Sequence, residues 1–309
     1  MRTAVIGVGH LGRHHARILS SLPGVTLVGV VDINAARAAK IAADHGTQAY
    51  SDWRELAGKM DAAIIAVPTV AHAEIAVPLI ESGVHALVEK PLARTLEEAD
   101  RLIDAARSGR VVLAVGHSER FNPAFAAARP FVRDPRFIEV HRLGTFAERS
   151  LDIDVVFDLM IHDLDLLLSV VASEVENAEA VGVPVLTQRI DIANVRLKFK
   201  NGCIANLTAS RISREIVRKI RFFERDSYVS IDSAAKEVER WQLVSQPGAL
   251  PRIDGGKLDV SGEEPLKREL EDFVGAIRDR RAPEVTGDQG RAALELAHRI
   301  VELMGHGRA

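Results

Sequence analysis

The chain has 309 residues, 47% hydrophobic and 27% charged, with a formal charge of −3 at pH 7. That is an ordinary globular composition in a chain long enough for two domains, since single cores stop growing near about 250–300 residues. The weak net charge gives no electrostatic reason to expect nucleic acid or an anionic membrane as partner, and the single cysteine, Cys203, excludes an internal disulfide and fits a reducing compartment.

Met1-Arg2-Thr3 leads directly into an apolar run without the pattern of a signal peptide. The longest apolar stretch, residues 62–80, is interrupted by Pro68, His72, Glu74 and Pro78. The expectation is a cytoplasmic protein without a membrane span. Strands are predicted over residues 3–7, 26–32, 62–67, 85–89 and 111–116. They are rich in β-branched or small apolar residues and lack strict alternation, as strands covered on both faces do. Helical stretches over 35–45, 71–82 and 96–108 separate them. This β-α-β-α order predicts a doubly wound parallel sheet, a Rossmann domain over residues 1–120.

The first strand runs into Gly7-Val8-Gly9-His10-Leu11-Gly12, which opens a helix. Gly7 permits the tight turn, Gly9 lets the backbone approach a pyrophosphate, and Gly12 lets the helix pack on the strand. The helix N-terminus then offers N–H donors to phosphate. Asp32 ends the second strand twenty residues past Gly12, where an acid accepts from the ribose hydroxyls. A carboxylate there repels a 2′-phosphate, so NAD is expected over NADP, although Arg37 would admit some NADP if it folded over the ribose. Val67, Pro68, Thr69 and His72, after the third strand, and Glu89 and Lys90, after the fourth, complete the expected cofactor contacts at the sheet's carboxyl edge. His10 and His14 share a helix face, but no further ligand is close in sequence, and no metal is expected.

Glu89-Lys90-Pro91 closes the strand over residues 85–89. A lysine at that edge can donate to a substrate oxygen and stabilise alkoxide character; equally, it can be a surface residue in a turn. Where the last strand gives way to the second half stands Gly116-His117-Ser118-Glu119-Arg120-Phe121-Asn122-Pro123. Arg120 and Asn122 are placed there either to touch a ligand or to cap and tether the next helix.

Residues 121–309 predict a different architecture, an α+β domain on a mostly antiparallel open sheet. A strand near 138–142 is followed by a helix over 155–172 and strands over 179–185, 192–198, 203–210 and 217–224, with Asn201-Gly202 as a hairpin turn. The stretch 246–264, with Pro247, Gly248, Pro251, Gly255 and Gly256, reads as a loop, and helices are predicted over 266–280 and 289–303, the last packing back on the first domain. On the helix over 155–172, Asp158 and His162 are four apart and can meet. A carboxylate beside an imidazole makes it a better base for an alcohol proton. The plain alternative is a solvated polar helix face.

The glycine loop, Glu89-Lys90-Pro91 and Asp158-x-x-x-His162, in that order and with the closing segment Pro283-Glu284-Val285-Thr286-Gly287-Asp288-Gln289-Gly290, resemble the Gfo/Idh/MocA oxidoreductase family over essentially the whole chain. The resemblance implies NAD(P)-dependent oxidation of an alcohol carbon, with Lys90 and His162 as the catalytic pair and Asp158 beside them. It also implies a cis Lys90–Pro91 bond and a homodimer or homotetramer built through the second-domain sheet.

The stretch from Gly116 to Pro123, together with Ala209-Ser210-Arg211-Ile212-Ser213 and Arg218-Lys219-Ile220-Arg221, is similar to family members that oxidise UDP-N-acetylglucosamine at C3 and feed an aminotransferase in diaminosugar and lipid A formation. Lys219 and Arg221 share a strand face, and with Arg211 they are candidates to clasp a diphosphate; a salt-bridged sheet face is the alternative. A dehydrogenase of a free sugar or cyclitol such as inositol, and a non-catalytic dinucleotide-binding regulator, are the competing expectations.

Overall fold

The computed structural model describes residues 1–146, 153–245 and 250–305. The chain divides into two compact units, Met1–Ser118 with Pro265–Leu294, and Glu119–Glu264 with Glu295–Ala309.

In the first unit the alternation seen in the sequence becomes β1 (Arg2–Ile6), α1 (Gly12–Leu19), β2 (Thr26–Val31), α2 (Ala35–His45), β3 (Ala49–Tyr50), β4 (Ala62–Ile65), α3 (His72–Glu81), β5 (His85–Glu89), α4 (Leu96–Gly109) and β6 (Leu113–Gly116). The strands pair in parallel in the order β3-β2-β1-β4-β5-β6, the doubly wound arrangement whose ligand crevice lies at the carboxyl edge where the order reverses. Helix ends follow local chemistry. Asn34 caps α2 by accepting from the Arg37 amide at 3.0 Å, and Gly46 ends it at φ 63°. The two-residue β3 is too short to leave a periodic signal; it exists because it pairs with the end of β2.

The segment Pro265–Leu294 belongs to this first unit, whereas a domain boundary at residue 120 would leave it in the second. Its helix α7 (Pro265–Asp279) buries Leu270 and Phe273 in one core cluster with Val5, Ala16, Leu19 and Ile64. The helix was predicted from the sequence, but its packing partner was not.

The second unit carries an eight-stranded sheet. It comprises β7 (Phe137–Leu143), β8 (Val175–Val183), β9 (Ile192–Phe199), β10 (Ile204–Ser210), β11 (Val217–Phe223), β12 (Ser227–Asp232), β13 (Glu237–Val244) and β14 (Arg252–Leu258), in the order β14-β13-β12-β11-β7-β10-β9-β8. Every pair is antiparallel except β7 with β10.

The predicted loop over 246–264 needs correction. Residues 246–249 lie outside the described ones, but Arg252–Leu258 is a strand paired along its length with β13. Gly255 stands at φ 144°, and a Cβ on it would come 2.0 Å from the Arg240 carbonyl oxygen. The glycine that suggested a loop is what allows this pairing. The predicted helix over 155–172 is a wide π-turn, Val156–Met160, continued by α6 (Ile161–Val170). Among the described residues no helix is long and apolar enough to cross a membrane.

Candidate functional site

The glycine loop joins β1 to α1, and its three glycines have different reasons to be glycine. Gly7 has φ 86°, and a Cβ there would meet the Ala66 carbonyl oxygen at 2.6 Å; a Cβ on Gly12 would come 1.8 Å from the Gly7 carbonyl oxygen. Both are required by the fold. Gly9 is different, because its nearest neighbour would be an Arg37 guanidinium nitrogen at 3.7 Å. The protein leaves that space open, as a position approached by a phosphate requires, and exposed His10 and Leu11 follow it.

Asp32 is buried and turns its carboxylate to this loop. Oδ2 accepts the Val8 amide at 3.0 Å and Oδ1 the Asn34 amide at 2.8 Å. Arg37 reaches the same carboxylate at 3.3 Å, so it does fold back toward Asp32. Val67 and Thr69 are half-buried and Pro68 exposed just beyond β4, and Val67 lies against Gly7.

The next strand end carries half-buried Lys90, and the Lys90–Pro91 peptide is cis. Two expected cofactor contacts prove to be buried supports of this turn. The His72 ring places Nδ1 3.1 Å from the Pro91 carbonyl oxygen and Nε2 3.0 Å from that of Val67. Burial holds it below the usual histidine range. Glu89 points inward, where its Oε1 lies 2.7 Å from His15 Nε2 and its Oε2 accepts the Lys90 amide at 3.3 Å. His15 and Glu269, which close this cluster, were not singled out in the sequence. Each looks like one polar residue in an amphipathic helix, and only their burial, at 0% and 2% exposure, marks them.

In the second unit Asp158 lies in the π-turn and His162 in the first turn of α6, both half-buried. Such turns recur at functional sites. The rest of that helix is not a solvated polar face. Asp165 takes Arg120 through two hydrogen bonds at 2.8 and 3.1 Å, and Asp163 takes Arg142 at 2.8 and 2.7 Å, all four side chains being buried. Burial disfavours the charged form of Arg142, but Asp163 and Glu119 beside it more than offset this and raise its pKa.

Arg120 is therefore engaged in a buried ion pair. Asn122 caps the short helix α5 (Pro123–Ala128), accepting from the Ala124 amide at 3.0 Å and donating to Glu119 at 3.3 Å.

The expected diphosphate clasp is not assembled. Arg211 follows β10, whereas Lys219 and Arg221 are on β11, and β7 runs between those strands. Arg211 is buried, bonded to Asp191 at 2.9 Å and to the Ile153 carbonyl oxygen at 2.9 Å. Lys219 and Arg221 do share a face, paired to Asp232 at 3.2 Å and Glu139 at 3.3 Å. The salt-bridged sheet face is what forms.

Residues 1–117 match the family described as oxidoreductase family, NAD-binding Rossmann fold, and residues 96–223 match the GFO/IDH/MocA C-terminal domain. The chain is 40% identical over 304 residues to UDP-N-acetylglucosamine 3-dehydrogenase of Acidithiobacillus ferrooxidans, covering 97% of this chain and 96% of that protein. A solved structure of that enzyme superposes with a TM-score of 0.93 at 39% identity, covering 99% of this chain and 98% of the other. Myo-inositol 2-dehydrogenase of Thermotoga maritima is 26% identical, across 96% of this chain and 94% of its own.

Proposed function

Because the chain belongs to the GFO/IDH/MocA family of NAD-binding oxidoreductases, we propose that it oxidises C3 of a UDP-linked N-acetylhexosamine, UDP-N-acetylglucosamine, to the ketone. The observation that carries this reading is the 40% identity, over nearly the full length of both chains, to a dehydrogenase of that substrate.

The open space at Gly9 and the acid at Asp32 fit a dinucleotide: residues 9–12 would hold its pyrophosphate and Asp32 its adenosine ribose. Bound NAD⁺ supplies a hydride acceptor. In our reading His162 takes the hydroxyl proton with Asp158 as its orienting carboxylate, and Lys90 stabilises the oxygen as negative charge develops on it. The keto product suits a cytoplasmic aminotransferase. Assembly into a homodimer or homotetramer through the second sheet suits the exposed Val181, Val183, Trp241 and Leu243.

The test is NADH formation from NAD⁺ and UDP-N-acetylglucosamine. His162→Ala and Lys90→Ala are each expected to lower kcat by on the order of 10²–10⁴-fold while NAD affinity stays near that of the parent. Normal turnover in both variants would overturn the assignment.

Oxidation of a cyclitol is the second reading. It is favoured by the pairing of Arg211, Lys219 and Arg221 with protein acids, which leaves the diphosphate without the clasp expected for it. Competitive inhibition by UDP separates the two: a nucleotide-sugar enzyme shows it and a cyclitol enzyme does not.

A further inference from the structure

Next to the Lys90 turn the first unit buries three ionisable side chains from three elements: His15 of α1, Glu89 at the end of β5 and Glu269 of α7. Their ring nitrogen and carboxyl oxygens all lie within 4.8 Å of one another. The pair His15–Glu89 is joined at 2.7 Å. Neither oxygen of Glu269 has a hydrogen-bond partner among the described residues.

Charge counting decides the state of this cluster. A single imidazole cannot neutralise two carboxylates, and His15 already stands against Glu89, on which the Lys90 cation also acts. The charged groups acting on Glu269 are Glu89 and, on its own helix, Asp272, which is itself paired to Arg281 at 2.7 Å. An ionised Glu269 would be a buried anion that accepts no hydrogen bond beside another anion, a state a carboxyl group escapes by keeping its proton. Burial first, then Glu89 and Asp272, push its carboxyl well above the usual range. Burial also opposes ionisation of Glu89, but His15 and then Lys90 hold that carboxyl below its usual range.

We propose that Glu269 is a positioning residue that stands as a neutral carboxylic acid at neutral pH beside Glu89, leaving Glu89 as the one fixed negative charge of the cluster next to Lys90. The His15–Glu89 contact ties the helix that follows the glycine loop to the turn that carries the lysine, and Glu269 packs beside it. The functional half of this inference rests on Lys90 as the catalytic lysine; the protonation of Glu269 does not.

The protonation has a signed consequence. A carboxyl whose folded pKa is raised holds a proton that the unfolded chain releases above about pH 4.3, so it costs stability progressively as pH rises above that value. Glu269→Gln keeps the shape and an N–H donor but cannot titrate. Relative to the parent it is expected to raise the midpoint of thermal unfolding near pH 8, with the difference closing toward pH 5, whereas a packing role alone gives a difference that does not move with pH.

The parent is also expected to show the infrared carbonyl stretch of a buried neutral carboxylic acid near pH 8, absent from Glu269→Gln. Absence of that band from the parent, or an unfolding difference that ignores pH, would overturn the proposal. So would stoichiometric zinc, iron or manganese in the purified parent that is lost in Glu269→Gln, because the three donors would then hold a cation in place of a proton.

In turnover, Glu269→Leu is expected to lower kcat on the order of tenfold with little change in the KM for NAD⁺, and Glu269→Gln to recover most of it. Equal losses in the two variants would overturn the positioning role. Lys90→Ala is expected to retain the infrared band; if it also turned over normally, the catalytic reading would fall while the protonated acid stood.

Discussion

The second unit buries Asp163, Asp165 and Asp191 against the guanidinium groups of Arg142, Arg120 and Arg211, whereas the first buries Glu89 and Glu269 beside a single imidazole. Guanidinium stays charged at any pH the fold survives, and its fork matches a carboxylate through two hydrogen bonds. Those guanidinium groups are permanent charges within the scaffold. In the first unit the carboxyl of Glu269 has no such partner among the described residues, and burial beside Glu89 pushes it well above its usual range. The second unit therefore balances its buried carboxylates with permanent cations, whereas the first leaves one buried carboxyl without a guanidinium.

The comparison is broken most severely by removing a permanent cation. Arg142→Met leaves Asp163 buried and Glu119 facing it with only the weaker attraction of Arg218 to offset them, so it is expected to cost about 3–5 kcal/mol in urea unfolding. Adding Asp163→Leu should recover a large part of that loss, because the penalty comes from the stranded charge more than from the missing contact. If Arg142→Met unfolds like the parent, Asp163 was not ionised, and the contrast between the units disappears.

A smaller and pH-dependent effect is expected at Asp191. Its Oδ2 accepts the amides of Val185, Leu186 and Thr187 at 2.7–2.9 Å, and its Oδ1 accepts the Thr187 hydroxyl at 2.8 Å. Burial opposes ionisation, but these bonds overcome it and hold the carboxyl well below its usual range. A depressed pKa contributes stability that is present above the unfolded value, about 3.9, and lost as pH falls through the folded one. Asp191→Asn aims an amide N–H at donors, so a loss of about 2–3 kcal/mol is expected at pH 7, shrinking as the pH is taken below about 4. A loss that stays constant into acid would mean the carboxylate charge contributes nothing there.

What the sequence disclosed follows from the range of each interaction. The parallel sheet, the glycine loop and the Lys90 turn were legible because their signals are local: buried apolar runs, Gly7 to Gly12, and a strand ending in Glu-Lys-Pro. Strands β12, β13 and β14 were missed because their residues alternate weakly and because Gly255, read as a loop residue, is there to let Arg240 and Trp241 approach.

The partners of buried charge were not legible at all. Arg211 and Lys219 lie eight residues apart and were expected to work together, but β7 threads between their strands, and sequence distance gave no hint of it. Glu269 and His15 are separated by most of the chain. Only the placement of α7 against α1 turns two unremarked helix residues into a cluster.

The smallest effect is the control that gives the others meaning. Arg107 and Asp288 form an ion pair at 2.7 Å, as short as the Arg142–Asp163 contact, but their side chains are 64% and 62% exposed. If hydrogen-bond length set the value of a pair, Asp288→Asn would cost as much as breaking the buried one. Solvent screens the attraction, and two long side chains lose rotamer freedom to form it. Asp288 also stands in the first turn of α8 (Gly287–Gly305), where a negative charge meets the helix dipole for a few tenths of a kcal/mol. Asp288→Asn is therefore expected to cost no more than about 0.5 kcal/mol in the same urea titration. Most of that small loss should persist when Arg107 is first replaced by Met. A loss comparable to that of Arg142→Met would show that burial is not what separates the strong pairs of this protein from the weak ones.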